Sequence, residues 1–216
     1  MQLTLLGTGC PKVDHNRFGP SNLVTTNSTK ILIDCGSGVT QRLDKIKILT
    51  SDIDALFLTH LHSDHVVDLY QLIISSWHSY RALPWVIYGP IGTKKFVKSV
   101  MNSWKEERNL RINYEQRSSV QAFNIKVREF KKYGIIKIKD LKIEYFEVDH
   151  KPVKYAYGFN FYNNNKKLTI SGDTRPCDNL IKHAQSADVL LHEVFIDGEI
   201  KPVHKMRSKI TLHNVK

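Results

Sequence analysis

Three histidines and one aspartate lie within six residues of each other, in the segment His60-Leu61-His62-Ser63-Asp64-His65. Imidazole nitrogens and carboxylate oxygens are ligands that zinc and similar divalent metals bind in proteins. His60 and His62 are two residues apart, so both imidazoles leave the same side of an extended segment. Asp64 and His65 come at the following turn and are expected to point away from the first pair, so they suit a second metal nearby. We interpret this segment as a metal-binding loop, in preference to a solvated polar loop.

The segments on either side of the histidines indicate how they are positioned. An apolar run over residues 55–58 predicts a buried strand before them. After them, apolar residues recur with the helical period over residues 66–74, and Asp64 stands where that helix would begin. The loop therefore leaves the end of a strand, which is a common place for active sites in α/β proteins. His78, beyond that helix, either lines the cleft or is structural, and we favour the structural interpretation.

The pattern His60-x-His62-x-Asp64-His65 resembles the signature of the metallo-β-lactamase superfamily. Tyr88-Gly89-Pro90-x-Gly92-Thr93, with Thr93 expected to cap a helix over residues 93–104, is similar to the branch that contains ribonuclease Z-like and arylsulfatase-like proteins. This resemblance implies a single αββα four-layer sandwich over residues 1–216, an α/β fold with its metals at one edge of two sheets. In that branch a carboxylate at the position of Asp34 supports the metal ligands. The residues alone also allow Asp34 to cap a helix over residues 39–43.

Three later segments carry residues that the resemblance assigns to the metal site. His150 follows a strand predicted over residues 141–148 and matches a metal ligand of the family. Asp173, in Ser171-Gly172-Asp173-Thr174-Arg175, resembles the carboxylate that bridges two metals. Glu193 follows a strand predicted over residues 189–191 and would orient a catalytic histidine. That histidine matches His213, although the small hydroxyl residues of the family pattern do not follow it.

The resemblance implies two zinc ions and a set of protein ligands for each. The first is held by His60, His62 and His150, the second by Asp64 and His65, and Asp173 bridges them. Asp64 would also act as general base toward the attacking water. Glu193 and His213 would protonate the leaving oxygen.

Two features of the family have no counterpart in this sequence. Ribonuclease Z carries a long arm for tRNA between the motifs matched by His150 and Asp173, where only a short hairpin around residues 163–166 fits. The family's last histidine ligand also follows one more helix and strand, and no match precedes Lys216. We therefore expect a C-terminal layer that is cut short and a second zinc that is held less tightly. Replacement of the lost ligand by His204 or His213 is the less favoured alternative.

Composition restricts the class of protein. The three cysteines, Cys10, Cys35 and Cys177, are odd in number and widely spaced, which indicates a reduced cytoplasmic protein without a disulfide framework. No apolar run is long enough to cross a membrane, and no leader for export is evident. The formal net charge is +11, and residues 94–142 contain fourteen Lys or Arg against five Asp or Glu. RNA binding and a solvated basic face both remain open for this stretch.

These observations predict a zinc-dependent hydrolase of the ribonuclease Z-like group that cleaves phosphodiester bonds. The resemblance suggests the 3′ trailer of precursor tRNA as a natural substrate. One alternative is an arylsulfatase-like or small phosphodiester hydrolase, which the missing arm favours. Another is a truncated, inactive remnant that binds nucleic acid through its basic middle. A homodimer is also left open.

Overall fold

A computed structural model describes residues 1–194 of the chain. Its contacts divide the protein into two compact units, Met1–Phe130 and a second that begins at Lys131. Each unit contains one β-sheet, and the expectation of one domain over residues 1–216 stays a prediction. No helix within residues 1–194 is both long and apolar enough to cross a membrane.

The first unit contains a six-stranded mixed sheet whose strands lie across it in chain order. The strands are β1 (Gln2–Gly7), β2 (Ser21–Thr25), β3 (Lys30–Ile33), β4 (Ala55–Phe57), β5 (Trp85–Gly89) and β6 (Ile125–Glu129). β1, β2 and β3 pair antiparallel, whereas β3 through β6 pair in parallel. The predicted strands β3, β4 and β5 are largely buried, which explains their nearly continuous apolar sequences.

Five helices belong to the first unit. They are α1 (Val39–Lys45), α2 (Ser63–Val66), α3 (Leu69–His78), α4 (Thr93–Ser103) and α5 (Lys105–Glu115). Apolar residues of α1, α3 and α4, such as Leu43, Leu72 and Val97, share one core with Leu56 and Ile87 of the sheet. α3 thus buries the stripe that the helical period predicted.

The helix expected after the histidine segment is interrupted at Val67 and Asp68, so that α2 and α3 are separate. The Asp68 amide donates to the carbonyl of Cys35, 3.1 Å away. It is therefore not used for a hydrogen bond inside a helix that continues from residue 64. The Asp68 carboxylate accepts the Gly38 amide, with 2.6 Å between Oδ2 and N. Burial raises the pKa of Asp68, although hydrogen bonds from the backbone amides of Gly38 and Val39 oppose the shift. The break therefore follows from contacts distant in sequence.

The N-terminus of α4 is capped differently from the prediction. The Thr93 hydroxyl donates to the Pro90 carbonyl and makes no cap of its own helix. Instead, Glu129 of β6 accepts the amides of Gly92 and Lys94, each with 2.9 Å between Oε1 and N. A carboxylate at this end is favourable because the first amides of a helix lack partners inside the helix.

His78 has a structural environment, as the sequence favoured. Its Nδ1 accepts from Arg117 Nη2 at 2.8 Å, and its carbonyl accepts from Nη1 of the same guanidinium at 3.1 Å.

Arg81 connects several loops of the same unit through hydrogen bonds and is only 4 % exposed. It donates to the carbonyls of four residues, namely Ser51, Ile53, Leu83 and Pro84. Burial lowers the pKa of Arg81 to about 10.

The second unit contains a five-stranded sheet in the order β11-β10-β9-β8-β7. The strands are β7 (Tyr133–Ile138), β8 (Leu141–Glu147), β9 (Tyr157–Asn163), β10 (Lys166–Ile170) and β11 (Val189–Leu191), with α6 (Asp178–Ala184) before β11. All neighbours are antiparallel except β10 and β11. The β9–β10 hairpin turns at Asn164 and Asn165, with φ of 50° and 59°, so the predicted short hairpin is confirmed.

Candidate metal centre

The segment of residues 59–65, which we call the histidine loop, follows the end of β4. Its first two imidazoles lie close together. His60 Nε2 and His62 Nδ1 are 2.9 Å apart. Two nitrogens bound to one tetrahedral zinc at about 2.0–2.1 Å would be about 3.3 Å apart, so this pair fits one ion after a small adjustment. The Thr59 hydroxyl lies 3.0 Å from His60 Nδ1, which leaves Nε2 as the nitrogen directed toward His62. The expected common direction of His60 and His62 is therefore present in the structure.

Asp34 fixes the third imidazole from the end of β3. Its carboxylate accepts the amide and the hydroxyl of Thr59, each at 2.8 Å, and it lies 2.8 Å from His65 Nδ1. A carboxylate on Nδ1 holds the proton there, so that Nε2 carries the lone pair with which an imidazole binds a metal. α1 starts after Gly38, so the alternative role of Asp34 as its cap is wrong. The supporting role that the resemblance implied matches these contacts.

Asp64 and His65 form the other part of the loop. His65 Nε2 lies 3.7 Å from Asp64 Oδ2, and both side chains are largely buried. His65 does not point away from the first pair, as the turn suggested, because its ring centroid lies 4.1 Å from that of His60. One ligand nitrogen of each of these two histidines lies within 4.8 Å of the other.

Close packing of the loop after β3 holds the histidine loop in place. The Cys35 amide donates to the carbonyl of His65 at 2.8 Å. A Cβ at Gly36 would lie 2.5 Å from the carbonyl oxygen of Asp64, so only glycine fits there without a shift of backbone. Burial raises the pKa of the Cys35 thiol, which keeps it in the form that does not bind metals. Cys10 and Cys177 are also free thiols.

The second unit brings His150 and Asp173 together. His150 Nε2 and Asp173 Oδ2 are 4.0 Å apart. The loops that carry them are bound to each other by Asp149, which contacts both residues after Asp173. Its amide donates to the Thr174 hydroxyl at 3.1 Å, and its carbonyl accepts the Arg175 amide at 3.0 Å. An ion pair of 3.0 Å between Arg175 Nε and Asp149 Oδ2 completes this link.

Glu193, which follows β11, supports the same loop. Its Oε1 accepts the amide of Thr174, the residue next to Asp173. His192 Nδ1 lies 2.8 Å from the Ser171 hydroxyl, on the other side of Asp173. His204 and His213 lie outside the described residues. The roles assigned to all these side chains from the sequence stay predictions.

Sequence reasoning missed the residues that hold the ligands in place. Thr59, Asp149 and Thr174 each precede or follow a predicted ligand directly, and that adjacency was the only signal in the sequence. Within each unit, the side chains brought together offer imidazole nitrogen and carboxylate oxygen. Those donors, with Nε2 of His65 directed by a carboxylate, fit zinc.

The chain is similar to a known protein family and to proteins named ribonuclease Z over nearly its whole length. The family model described as anti-Pycsar protein Apyc1 matches residues 1–212. A ribonuclease Z of Mycobacterium bovis is 33% identical over 212 residues, which cover 97% of this chain and 75% of the relative. A ribonuclease Z of Mycolicibacterium paratuberculosis is 36% identical over 210 residues, covering 96% and 75%.

Solved structures give the fold. Human tRNase Z, short form, has a TM-score of 0.75 at 23% identity and covers 99% of this chain and 83% of its own. A metallo-β-lactamase fold protein of Bacillus subtilis has a TM-score of 0.68 at 19% identity, covering 87% and 68%. The expected metallo-β-lactamase fold is thereby confirmed.

Proposed function

Because this chain belongs to the family of the anti-Pycsar protein Apyc1 and to the ribonuclease Z-like metal-dependent hydrolases, we propose that it cleaves phosphodiester bonds with two zinc ions as cofactor. The observation that carries the proposal is the histidine loop together with the hydrogen bonds that orient its imidazoles. Asp34 and Thr59 set the direction of the two buried imidazoles of the loop, those of His60 and His65. Such a network is expected where ligands must be held ready for a metal.

The proposed ligands keep the assignment made from the sequence. His60, His62 and His150 would hold one zinc, Asp64 and His65 the other, and Asp173 would be shared. When bound, zinc would polarise the phosphoryl group and make a hydroxide nucleophile available at neutral pH. The number of ions and the ligand of each are part of the proposal.

The remaining steps concern protons. The largely buried Asp64 carboxylate lies beside His65, and we assign to it the acceptance of a proton from the attacking water. Glu193 accepts the Thr174 amide, so its first task is to hold the loop of Asp173 in place. Protonation of the leaving oxygen is assigned to His213, with Glu193 as its partner.

Two classes of phosphodiester are candidates for the substrate. The relatives named ribonuclease Z support RNA, and precursor tRNA is the specific candidate. The β9–β10 hairpin supports a smaller phosphodiester, because its turn of two asparagines leaves no room for a tRNA-binding arm between His150 and Asp173. An aryl sulfate, which is a sulfate ester and not a phosphodiester, is the substrate of the arylsulfatase-like alternative.

One panel of substrates tests the proposal and separates the candidates. The zinc-loaded protein is assayed with bis-p-nitrophenyl phosphate, a 3′,5′-cyclic nucleotide, a precursor tRNA with a 3′ trailer, and p-nitrocatechol sulfate. The proposal expects hydrolysis of at least one phosphodiester, and release of the trailer decides for RNA. RNA binding without hydrolysis of any phosphodiester would instead support the inactive remnant.

The proposal also includes a cytoplasmic location and a homodimer. The free cysteines support a reducing compartment.

A groove of about 880 Å³, bordered by α1, α3 and α5, is lined in part by the exposed apolar side chains of Leu49, Val67 and Trp104. Burying these side chains against a second copy would be favourable. Sedimentation of the wild type and of Val67→Glu tests this, since only the wild type should sediment as a dimer.

A further inference from the structure

Three lysines form an exposed patch on α4. Lys94, Lys95 and Lys98 are all exposed, and the helix contains no acidic residue. Lys94 and Lys98 are one turn apart, and Lys95 lies beside them, so their side chains share one face of the helix. The opposite face is apolar, with Val97 in the core of the first unit. We call these three residues the α4 lysine patch.

The next helix carries the same number of basic residues but is electrically balanced. α5 contains three basic residues and three acidic ones. Arg111 pairs with Glu107 and with Glu115, and Arg108 donates to the Met101 carbonyl. Within residues 1–194, the α4 lysine patch makes no such ion pair with a carboxylate. The basic excess that the sequence placed in the middle of the chain is therefore unbalanced on α4 and balanced on α5.

The α4 lysine patch begins next to the histidine loop. β4 and β5 are parallel neighbours, so the loops that follow them leave the same edge of the sheet. A Cβ at Gly92, just before α4, would lie 3.4 Å from Cδ1 of Leu61, the residue between His60 and His62. Lys94 is two residues further along. From there α4 extends for eleven residues, or about 16 Å, away from the loop.

We propose that the α4 lysine patch binds the phosphates of an RNA strand next to the bond that is cleaved. The proposal rests on the proposed function, because it takes the histidine loop as the place of cleavage. The occupant is argued from charge and position. Three unpaired ammonium groups in a row, which begins at the histidine loop, fit successive phosphates of a strand and carry no information on base sequence. A small phosphodiester at the histidines would not reach Lys98, one turn along α4.

The test measures RNA binding as a function of salt. The full chain binds fluorescein-labelled oligouridine, and anisotropy is recorded between about 50 and about 200 mM salt. Each phosphate contact to a single strand adds about 0.7 to the steepness of the plot of log affinity against log salt concentration. Loss of three contacts in Lys94→Gln/Lys95→Gln/Lys98→Gln should therefore make this plot less steep by about 2. At about 200 mM salt the same relation predicts a loss of affinity of roughly 30-fold. Lys94→Arg/Lys95→Arg/Lys98→Arg keeps the charges and should keep the slope.

A matched variant separates local contacts from net charge. Lys131→Gln/Lys137→Gln/Lys182→Gln removes three exposed lysines from the second unit and should change the slope little. An equal loss in both glutamine variants, or no loss in the α4 variant, would overturn the proposal, as would a wild type that binds no RNA. Thermal unfolding of each variant shows that it is folded. Hydrolysis of bis-p-nitrophenyl phosphate by the wild type is measured separately, so failure of the proposed function is distinguished from failure of the patch.

Discussion

Asp34→Asn tests whether the carboxylate at the end of β3 prepares His65 for a metal. The substitution keeps the size of the side chain and removes its charge. Asp34 now accepts three hydrogen bonds, two from Thr59 and one from His65 Nδ1. An asparagine oxygen can still accept the Thr59 amide. Its NH₂ group would then face Nδ1 of His65, which is a second donor.

The size of the effect follows from that conflict. Two donors left facing each other in a buried site cost about 1–3 kcal/mol, unless His65 moves its proton to Nε2. The move would relieve the conflict and would place a proton on the nitrogen that a metal needs. Loss of a supporting partner of this kind lowers metal affinity about 10–100-fold, which corresponds to about 1.4–2.7 kcal/mol. We therefore expect Asp34→Asn to remain folded and to bind zinc more weakly by that factor.

Competition with a chromophoric chelator at a fixed neutral pH measures the zinc affinity, and thermal unfolding of the zinc-free protein checks the fold. Asp54→Asn is the matched control. It removes a charge from the same unit, and its amide oxygen can still accept the Lys30 amide that Asp54 now binds at 2.9 Å. The control should bind zinc as the wild type does. Wild-type zinc affinity in Asp34→Asn would show that this carboxylate does not prepare His65 for a metal.

Three further variants test particular contacts. Arg81→Ala should lower the free energy of unfolding by about 4 kcal/mol, because four carbonyls lose a donor; urea denaturation measures it, and a change below about 1 kcal/mol would contradict the account. Gly36→Ala should weaken zinc binding, since its Cβ would lie 2.5 Å from the Asp64 carbonyl; chelator competition with unchanged affinity would show that the loops adjust freely. Glu193→Ala should reduce turnover of bis-p-nitrophenyl phosphate because the Thr174 amide loses its acceptor. Glu193→Gln keeps an acceptor and should retain most of the turnover, whereas equal losses would indicate proton transfer by Glu193.

The histidine loop could be predicted because its parts are adjacent in the sequence. The order of strand, ligands and helix is local, and the apolar run of β4 and the spacing of His60 and His62 are both visible in a short window. The hairpin between β9 and β10 was equally accessible, since asparagine tolerates the positive φ that its turn requires.

Other features depend on partners that are distant in sequence. The break between α2 and α3 reflects contacts of Asp68 with residues some thirty positions earlier. The cap of α4 is Glu129, which lies 35 residues beyond Lys94. β7 is an edge strand with Tyr133 and Ile135 exposed, and α6 has only seven residues, so neither shows a strong pattern of burial. Local periodicity does not contain this information.

If the histidine loop binds zinc for phosphodiester cleavage, as proposed, turnover must depend on the metal and on a histidine of that loop. The most direct measurement is turnover of bis-p-nitrophenyl phosphate by the full chain, before and after removal of metal with a chelator and after return of zinc. His62→Ala and His78→Ala are measured in parallel. We predict that turnover disappears with the metal, returns with zinc, is lost in His62→Ala and persists in folded His78→Ala. Turnover that survives metal removal, or that persists in His62→Ala, would contradict the account.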